Sequence, residues 1–226
     1  MMTFSRMLAS PIAAVAVCIA RWLSLLALGG MACGDPVLVQ PKALVCVDKL
    51  VAKVARDPVL DSGFFRSKEY SYPWYVVQGE DGRLHSALDE PLTNEDRARK
   101  EHSSNCTSSH MGAHRMDFCD AVVKGGKLVL TIDGGLPAYA SDLVITVDGE
   151  NFNCRFSASY PGPVTVLGWT ITKKEMRVRS LKATPGKRWY AWISVELDEE
   201  CLENGKVSVL HHKIEGYLKP VVSKGK

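Results

Sequence analysis

The sequence predicts an all-β or β-rich α+β protein. Its C-terminal part is expected to be an antiparallel β-sandwich of about six or seven strands, and its N-terminal part a small helix plus hairpin portion. Apolar and polar residues alternate with a period of two, which is typical of half-buried antiparallel strands. Turn-forming dipeptides separate these runs, and Asp148-Gly149 is the strongest hairpin signal. The alternating runs are residues 128–132, 143–147, 152–156 and 191–197.

Residues 1–32 are predicted to be a signal peptide. This segment contains no Asp or Glu, carries Arg6 in a short polar stretch and is otherwise largely apolar. A permanent membrane span would bury the guanidinium of Arg21, at a cost of roughly 2.5–3.5 kcal/mol. A cleaved signal with its apolar core at residues 22–30 avoids that cost. The sequence therefore predicts export, and the small residues Gly30 and Ala32 place the cleavage before Cys33.

Cys33 resembles the acceptor cysteine of bacterial lipoproteins, in which an apolar core and small residues precede a cysteine that becomes the lipidated N-terminus. The resemblance implies lipidation of Cys33. It also implies a tether at the outer membrane, because Gly34 stands where an acidic residue would retain such a protein at the inner membrane. The alternative is a secreted or periplasmic protein in which Cys33 is a disulfide partner.

Six of the seven cysteines remain once Cys18 leaves with the leader. An oxidising compartment favours disulfide bonds between them. We expect Cys106 to pair with Cys119 and Cys154 with Cys201. Lipidation of Cys33 would leave Cys46 as a buried thiol.

Residues 33–125 are expected to form the helix, the hairpin and a disulfide-closed loop, ahead of the sandwich domain at 126–226. Apolar residues three and four apart predict an amphipathic helix over 42–57. Strand-like runs on both sides of a Gly-rich loop predict a hairpin. Thr93 is expected to cap a short polar helix. The remaining predicted segments are the hairpin strands 72–78 and 83–88, the polar helix 93–102 and the loop 103–126.

Histidines and cysteines in the segment 102–119 suggest a metal site. His102, Cys106, His110 and His114 are spaced by four and would line one stripe of a helix, where imidazole and thiolate groups can hold zinc. The segment is rich in Ser and Gly, which disfavour a helix. A loop closed by a disulfide, without a cofactor, is therefore the first interpretation. Zinc at His102, His110 and His114 is the alternative.

A second pair of histidines, His211 and His212, lies in an alternating stretch, so the two side chains are expected on opposite faces of a sheet. They are not expected to form one site.

Tyr72, Trp74 and Tyr75 form an aromatic group that can supply a binding surface for a sugar or a flat protein partner. The competing interpretation packs these rings into the core.

No catalytic residue is predicted. The chain lacks a Gly-x-Ser-x-Gly nucleophile motif, and Asp133-Gly134 and Asp148-Gly149 are both assigned to turns. Without the leader the chain has 26 Lys and Arg against 25 Asp and Glu, since Arg6 and Arg21 are removed from the 28 basic residues. A net charge of +1 argues against a nucleic-acid partner.

These features predict an exported, non-enzymatic envelope protein that binds a protein partner, such as an immunity protein or inhibitor of a periplasmic toxin enzyme. Its location is expected to be the bacterial periplasm, the outer membrane through a lipid at Cys33, or the medium. Membrane contact is expected only through that lipid. The alternatives are a metal-binding protein or enzyme that uses segment 102–119, and a glycan-binding or structural envelope module.

Overall fold

The computed structural model describes residues 46–88, 90–110, 112–134, 141–158, 165–203 and 205–225. The predicted signal peptide at 1–32 and the predicted lipidation site Cys33 lie outside the described residues. Within the described ranges the regular secondary structure is almost entirely β-strand, with one short helix, α1 (Gly63–Arg66). No helix in these ranges is long and apolar enough to cross a membrane.

The strands before residue 117 are short. They are β1 (Cys46–Val47), β2 (Ala52–Lys53), β3 (Ala55–Arg56), β4 (Tyr70–Ser71), β5 (Val76–Gln78), β6 (Leu84–Ser86), β7 (Lys100–Glu101), β8 (Cys106–Ser108) and β9 (His114–Met116). Most of the later strands are longer. They are β10 (Phe118–Lys124), β11 (Lys127–Gly134), β12 (Ser141–Asp148), β13 (Asn151–Ala158), β14 (Thr165–Val178), β15 (Ala191–Glu203), β16 (Lys206–Leu218) and β17 (Val222–Lys224).

Two sheets form the body of the protein. The first has the order β1-β14-β15-β16-β8-β9, with β3 also paired to β14, and the second has the order β17-β10-β11-β12-β13-β2. Neighbouring strands are antiparallel except where β1 and β3 join β14 and where β17 joins β10. Strands β11 to β17 account for the predicted C-terminal sandwich, so the β-rich fold is confirmed. Strand pairing crosses the predicted boundary at 125/126, because β10 pairs with β11.

Alternation along the long strands builds one core between the sheets. Leu130 on β11 lies opposite Ile145 on β12, and both are fully buried. Phe156 from the second sheet meets Trp169 from the first edge to face, with 5.4 Å between ring centroids. Burial of such apolar side chains is the main stabilising contribution to a fold of this kind.

Two predicted hairpins are confirmed. β5 and β6 pair antiparallel around a turn in which Gly82 has a φ of 77°. β12 and β13 pair along their full lengths, and Gly149 in their turn has a φ of 60°, a conformation that favours glycine.

The prediction of a helix over 42–57 is wrong for the part that the structure describes. Residues 46–57 contain β1, β2 and β3, which pair with β14 or β13. The periodicity is misleading because valines suit strands as well as buried helices, and the open edges of two sheets supply hydrogen-bond partners. The polar helix at 93–102 is also absent: Thr93 and Asp96 close a turn by mutual hydrogen bonds, and β7 follows.

The predicted loop at 103–126 consists of strands β8, β9 and β10, and the two predicted disulfides are not formed. Cys106 lies opposite Met116, not Cys119, across the β8–β9 pair. Cys106, Cys119 and Cys154 are buried thiols, so neither the Cys106–Cys119 nor the Cys154–Cys201 bridge exists. The segment is held instead by the pairing of β8 with β16 and with β9.

Asp133 and Gly134 do not form the predicted turn. They are the last two residues of β11, and Gly134 lies opposite Ser141 on β12. A Cβ atom at Gly134 would lie 2.9 Å from the carbonyl oxygen of Arg115. Glycine is therefore required here by the close approach of β9, not by a turn.

Candidate metal centre

Three polar side chains meet between the two sheets. On β15 the inward positions carry Leu197, Glu199 and Cys201, so a carboxylate interrupts an apolar stripe. On β16 the inward position opposite Leu197 is His212. His110 lies in the turn that follows β8, where its amide donates a hydrogen bond to the Ser108 hydroxyl over 3.2 Å.

The three side chains converge on one point. Nε2 of His212 lies 2.9 Å from Oε2 of Glu199, and Nε2 of His110 lies 4.0 Å from the same oxygen. One potential ligand atom from each of the three residues lies within 4.8 Å of the other two. The imidazole rings of His110 and His212 have centroids 5.0 Å apart and an interplanar angle of 70°.

Burial sets the protonation state of His110. Its side chain is fully buried, and this burial lowers the pKa of the imidazole to about 4, against the opposing effect of Glu199. The ring is therefore neutral at neutral pH, which is the form that coordinates metals. Glu199 is 1% exposed. A carboxylate at this depth needs hydrogen-bond donors or a cation around it.

Aromatic rings close the inner side of the cluster. The His110 ring lies 5.3 Å from that of Phe156, which in turn contacts Trp169. On the outer side, His212 lines a surface cavity of about 240 Å³. The cluster is thus shielded from the core side, and His212 is its member that lines a surface cavity.

Two imidazoles and one carboxylate form a donor set suited to zinc. Zinc binds His nitrogen and carboxylate oxygen in tetrahedral sites, and three protein ligands leave one position open for water or another ligand. Calcium and magnesium prefer sites made of oxygen atoms alone. The residues present therefore fit a zinc-class transition-metal ion.

Of the predicted metal ligands, only His110 belongs to this cluster. His102 is buried elsewhere: its Nε2 lies 3.0 Å from the Ser71 hydroxyl, and its ring packs against Phe118. The ring of His114 lies 3.3 Å from the Ser141 hydroxyl. The spacing of four would align these residues on a helix, but the segment forms strands and a turn.

Glu199 and His212 are the two members of the cluster that the sequence does not predict. Because His211 and His212 are expected on opposite faces of a sheet, the sequence does not suggest that the pair forms one site. In the structure His211 binds Asp198 on the outer surface. The signal that could have found the site is Glu199 itself. It continues the inward series Ile193, Val195 and Leu197, and an acid at such a position is rare without a partner.

The three residues of the predicted aromatic surface lie together, away from the candidate metal cluster. Tyr72, Trp74 and Tyr75 line one surface cleft beside the outer face of β10 and β11. Trp74 is 38% exposed, so the core interpretation is wrong for this ring.

Comparison with protein families, with curated proteins and with solved structures gives no match to this chain.

Proposed function

We propose that this protein is an exported metal-binding protein that holds a zinc-class ion between its sheets through His110, Glu199 and His212. The observation that supports this most directly is the convergence of one ligand atom from each residue within 4.8 Å in a buried position. Neutral His110 and the adjacent carboxylate give the charge and lone pairs that such an ion requires. The open fourth position leaves room for a water molecule or an exchanging ligand.

Zinc titration of the chelator-stripped mature protein tests this proposal. Calorimetry is expected to show about one zinc ion per chain, and affinity is expected to fall at least about 100-fold in His110→Ala and His212→Ala, because each variant removes a ligand. Glu199→Gln is expected to behave similarly, since it removes the negative charge.

The chain offers a matched control beside one ligand. His211→Ala removes an exposed imidazole that is bound to Asp198 on the other face of β16, so zinc affinity should stay unchanged. His102→Ala tests the ligand set predicted from sequence and should also leave affinity unchanged. Absence of zinc binding, or an equal loss in His211→Ala, would contradict the proposal.

A protein partner is a second proposal, and the edge of β16 supports it. Val207, Val209 and Leu210 are exposed there, and among the described residues β8 pairs with β16 only at Ile214 and Glu215. An extended segment of another exported protein can add to such an open edge by main-chain hydrogen bonds. A toxin enzyme neutralised by an immunity protein is one partner of this kind.

Affinity purification from envelope extracts tests the partner. A stoichiometric exported protein should bind the wild type and be lost in Val209→Lys, because the lysine places a charge on this edge. Val221→Lys changes a similarly exposed valine outside β16 and should retain the partner. Absence of a stoichiometric partner, or its loss in both variants, would reject the proposal.

A further inference from the structure

The surface cleft beside β10 and β11 is a second site, separate in its residues from the metal cluster. Its volume is about 450 Å³, within the range of about 300–1,000 Å³ typical of small-molecule sites. Residues 71–75 form a largely aromatic wall, and Phe118 and Asp120 of β10 with Asp133 and Gly134 of β11 form the floor. Lys100, Glu101, Arg115 and Asp117 complete the rim.

Trp74 is the aromatic ring that this wall offers to a ligand. The neighbouring rings are already engaged: Arg99 lies over the Tyr72 ring at 5.2 Å, and the Tyr75 hydroxyl donates a hydrogen bond to Asp96. Trp74 packs edge to face on Tyr75 with 5.3 Å between centroids. This contact fixes the indole while 38% of the residue stays exposed. A rigid, partly exposed indole is a platform for an apolar ring face or for a cation.

The floor carries two carboxylates, Asp120 and Asp133, that make no ion pair with a described residue. Asp133 on β11 lies directly opposite Asp142 on β12, and Asp120 on β10 is the diagonal neighbour of Asp133. Like charges facing each other across strands destabilise a sheet. Among the described residues, neither Asp120 nor Asp133 has an ion pair, whereas Arg115 in the same cleft is held by Asp117 at 2.8 Å and by Glu69 at 3.3 Å.

The charged groups that line the cleft indicate which class of ligand it would bind. Of the four lining acids, Asp117 is paired with Arg115 at 2.8 Å and Glu101 with Arg188 at 2.9 Å. Asp120 and Asp133 remain without an ion pair among the described residues, and Lys100 is the nearby base that opposes the effect of the acids on Asp133. Partial burial, together with the nearby Asp120 and Asp142, raises the pKa of Asp133. A positive group on a ligand would relieve this repulsion. Carboxylates also accept hydrogen bonds from hydroxyl groups, with which they form stronger bonds than neutral acceptors do.

We propose that this cleft binds a saccharide carrying a free amino group, with its ring face on Trp74 and its amino and hydroxyl groups on Asp120 and Asp133. The indole offers a surface for a flat, partly apolar ring. The two carboxylates accept hydrogen bonds and favour a positive charge on the ligand. This site does not depend on metal binding at His110, Glu199 and His212.

Calorimetry with short sugar oligomers tests the proposal on the mature protein. Glucosamine oligomers are expected to bind, and their affinity is expected to fall at least about ten-fold in Asp133→Asn, because a charged hydrogen-bond acceptor is lost. A similar loss is expected in Trp74→Ala. N-acetylglucosamine oligomers of the same length should bind more weakly to the wild type, since acetylation removes the positive charge.

Two exposed residues outside the cleft provide controls. Asp148→Asn changes a carboxylate at the other end of β12 that is ion-paired with Lys127, and Leu88→Ala shortens an exposed apolar side chain; both should keep wild-type affinity. Thermal melts of all variants establish that they are folded. Absence of binding to any oligomer, equal affinity for the acetylated oligomer, or unchanged affinity in folded Asp133→Asn and Trp74→Ala would overturn the proposal.

Discussion

His110 combines full burial with a titratable ring, and this makes the metal-free protein sensitive to acid. The unfolded imidazole takes up a proton near its ordinary pKa of 6.5, whereas the folded one does so only at about 4. In the interval between these values the unfolded chain binds more protons. Acid therefore stabilises the unfolded state, and the stability present above about pH 6.5 is lost as pH falls towards about 4.

We expect His110 to contribute a loss of about 3 kcal/mol in the free energy of unfolding across this interval. Urea denaturation in the presence of a chelator, at several pH values from about 7 to about 4.5, measures it. The His110→Gln variant should show a shallower dependence on pH, and His211→Gln should keep the wild-type slope. An unchanged slope in His110→Gln would show that another group controls acid stability.

The structure predicts that two buried thiols, Cys106 and Cys154, react slowly with alkylating reagents. Burial raises the pKa of Cys106 and of Cys154 to about 12. Because the thiolate is the reactive form, we expect iodoacetamide to leave both cysteines unmodified in the native protein at mildly alkaline pH. Both should be alkylated once the chain is unfolded without reductant. Peptide mass spectrometry reports each site, and protection that persists after unfolding would instead indicate disulfide bonds.

At the scale of secondary structure, the close approach of β8 to its neighbour β16 depends on Gly216. A Cβ atom at this position would lie 2.5 Å from the Cα of Cys106 and 2.7 Å from its backbone nitrogen. Backbone atoms cannot move aside as a flexible side chain can. We expect Gly216→Ala to lower the free energy of unfolding by about 1–3 kcal/mol, as measured by urea denaturation.

Gly63→Ala is the matched control for this prediction. A Cβ atom at Gly63, the first residue of α1, would have no other atom within 4 Å. Alanine has the higher helix propensity, so the free energy of unfolding should stay the same or rise slightly. Equal destabilisation in the two variants would mean that close approach of β8 is not the reason for glycine at 216.

Local signals explain which elements the sequence could predict. The β12–β13 hairpin follows from adjacent alternating runs and a turn that needs glycine at 149. Strands β8 and β9 escape prediction because each has three residues and β8 pairs partly with β16, more than one hundred positions away. Only one residue of the candidate metal cluster is predicted, for the same reason: His110 lies in the predicted segment, whereas Glu199 and His212 reach it only through strand pairing.

For the whole molecule, one buried ion pair links Asp48, directly after β1, to strands of both sheets. Nζ of Lys174 on β14 lies 2.5 Å from Oδ2 of Asp48 and donates to the carbonyl of Phe152 on β13 over 3.0 Å. Asp48 also accepts the amide hydrogen of Cys154 over 2.7 Å. The Lys174 side chain is fully buried, and that of Asp48 is 7% exposed. Each charge is therefore stable in this position only while the other is present.

Removing one partner should destabilise the fold strongly, because the remaining charge stays buried without compensation. We expect Lys174→Met to lower the free energy of unfolding by about 3–5 kcal/mol. Lys173 provides the comparison: its ammonium group lies near Glu175 and Glu196 at the exposed surface, and Lys173→Met should change stability by about 1 kcal/mol or less. Urea denaturation of the two variants measures the difference. Similar stabilities would show that water reaches Asp48 and that the ion pair does not hold residues 46–48 against the two sheets.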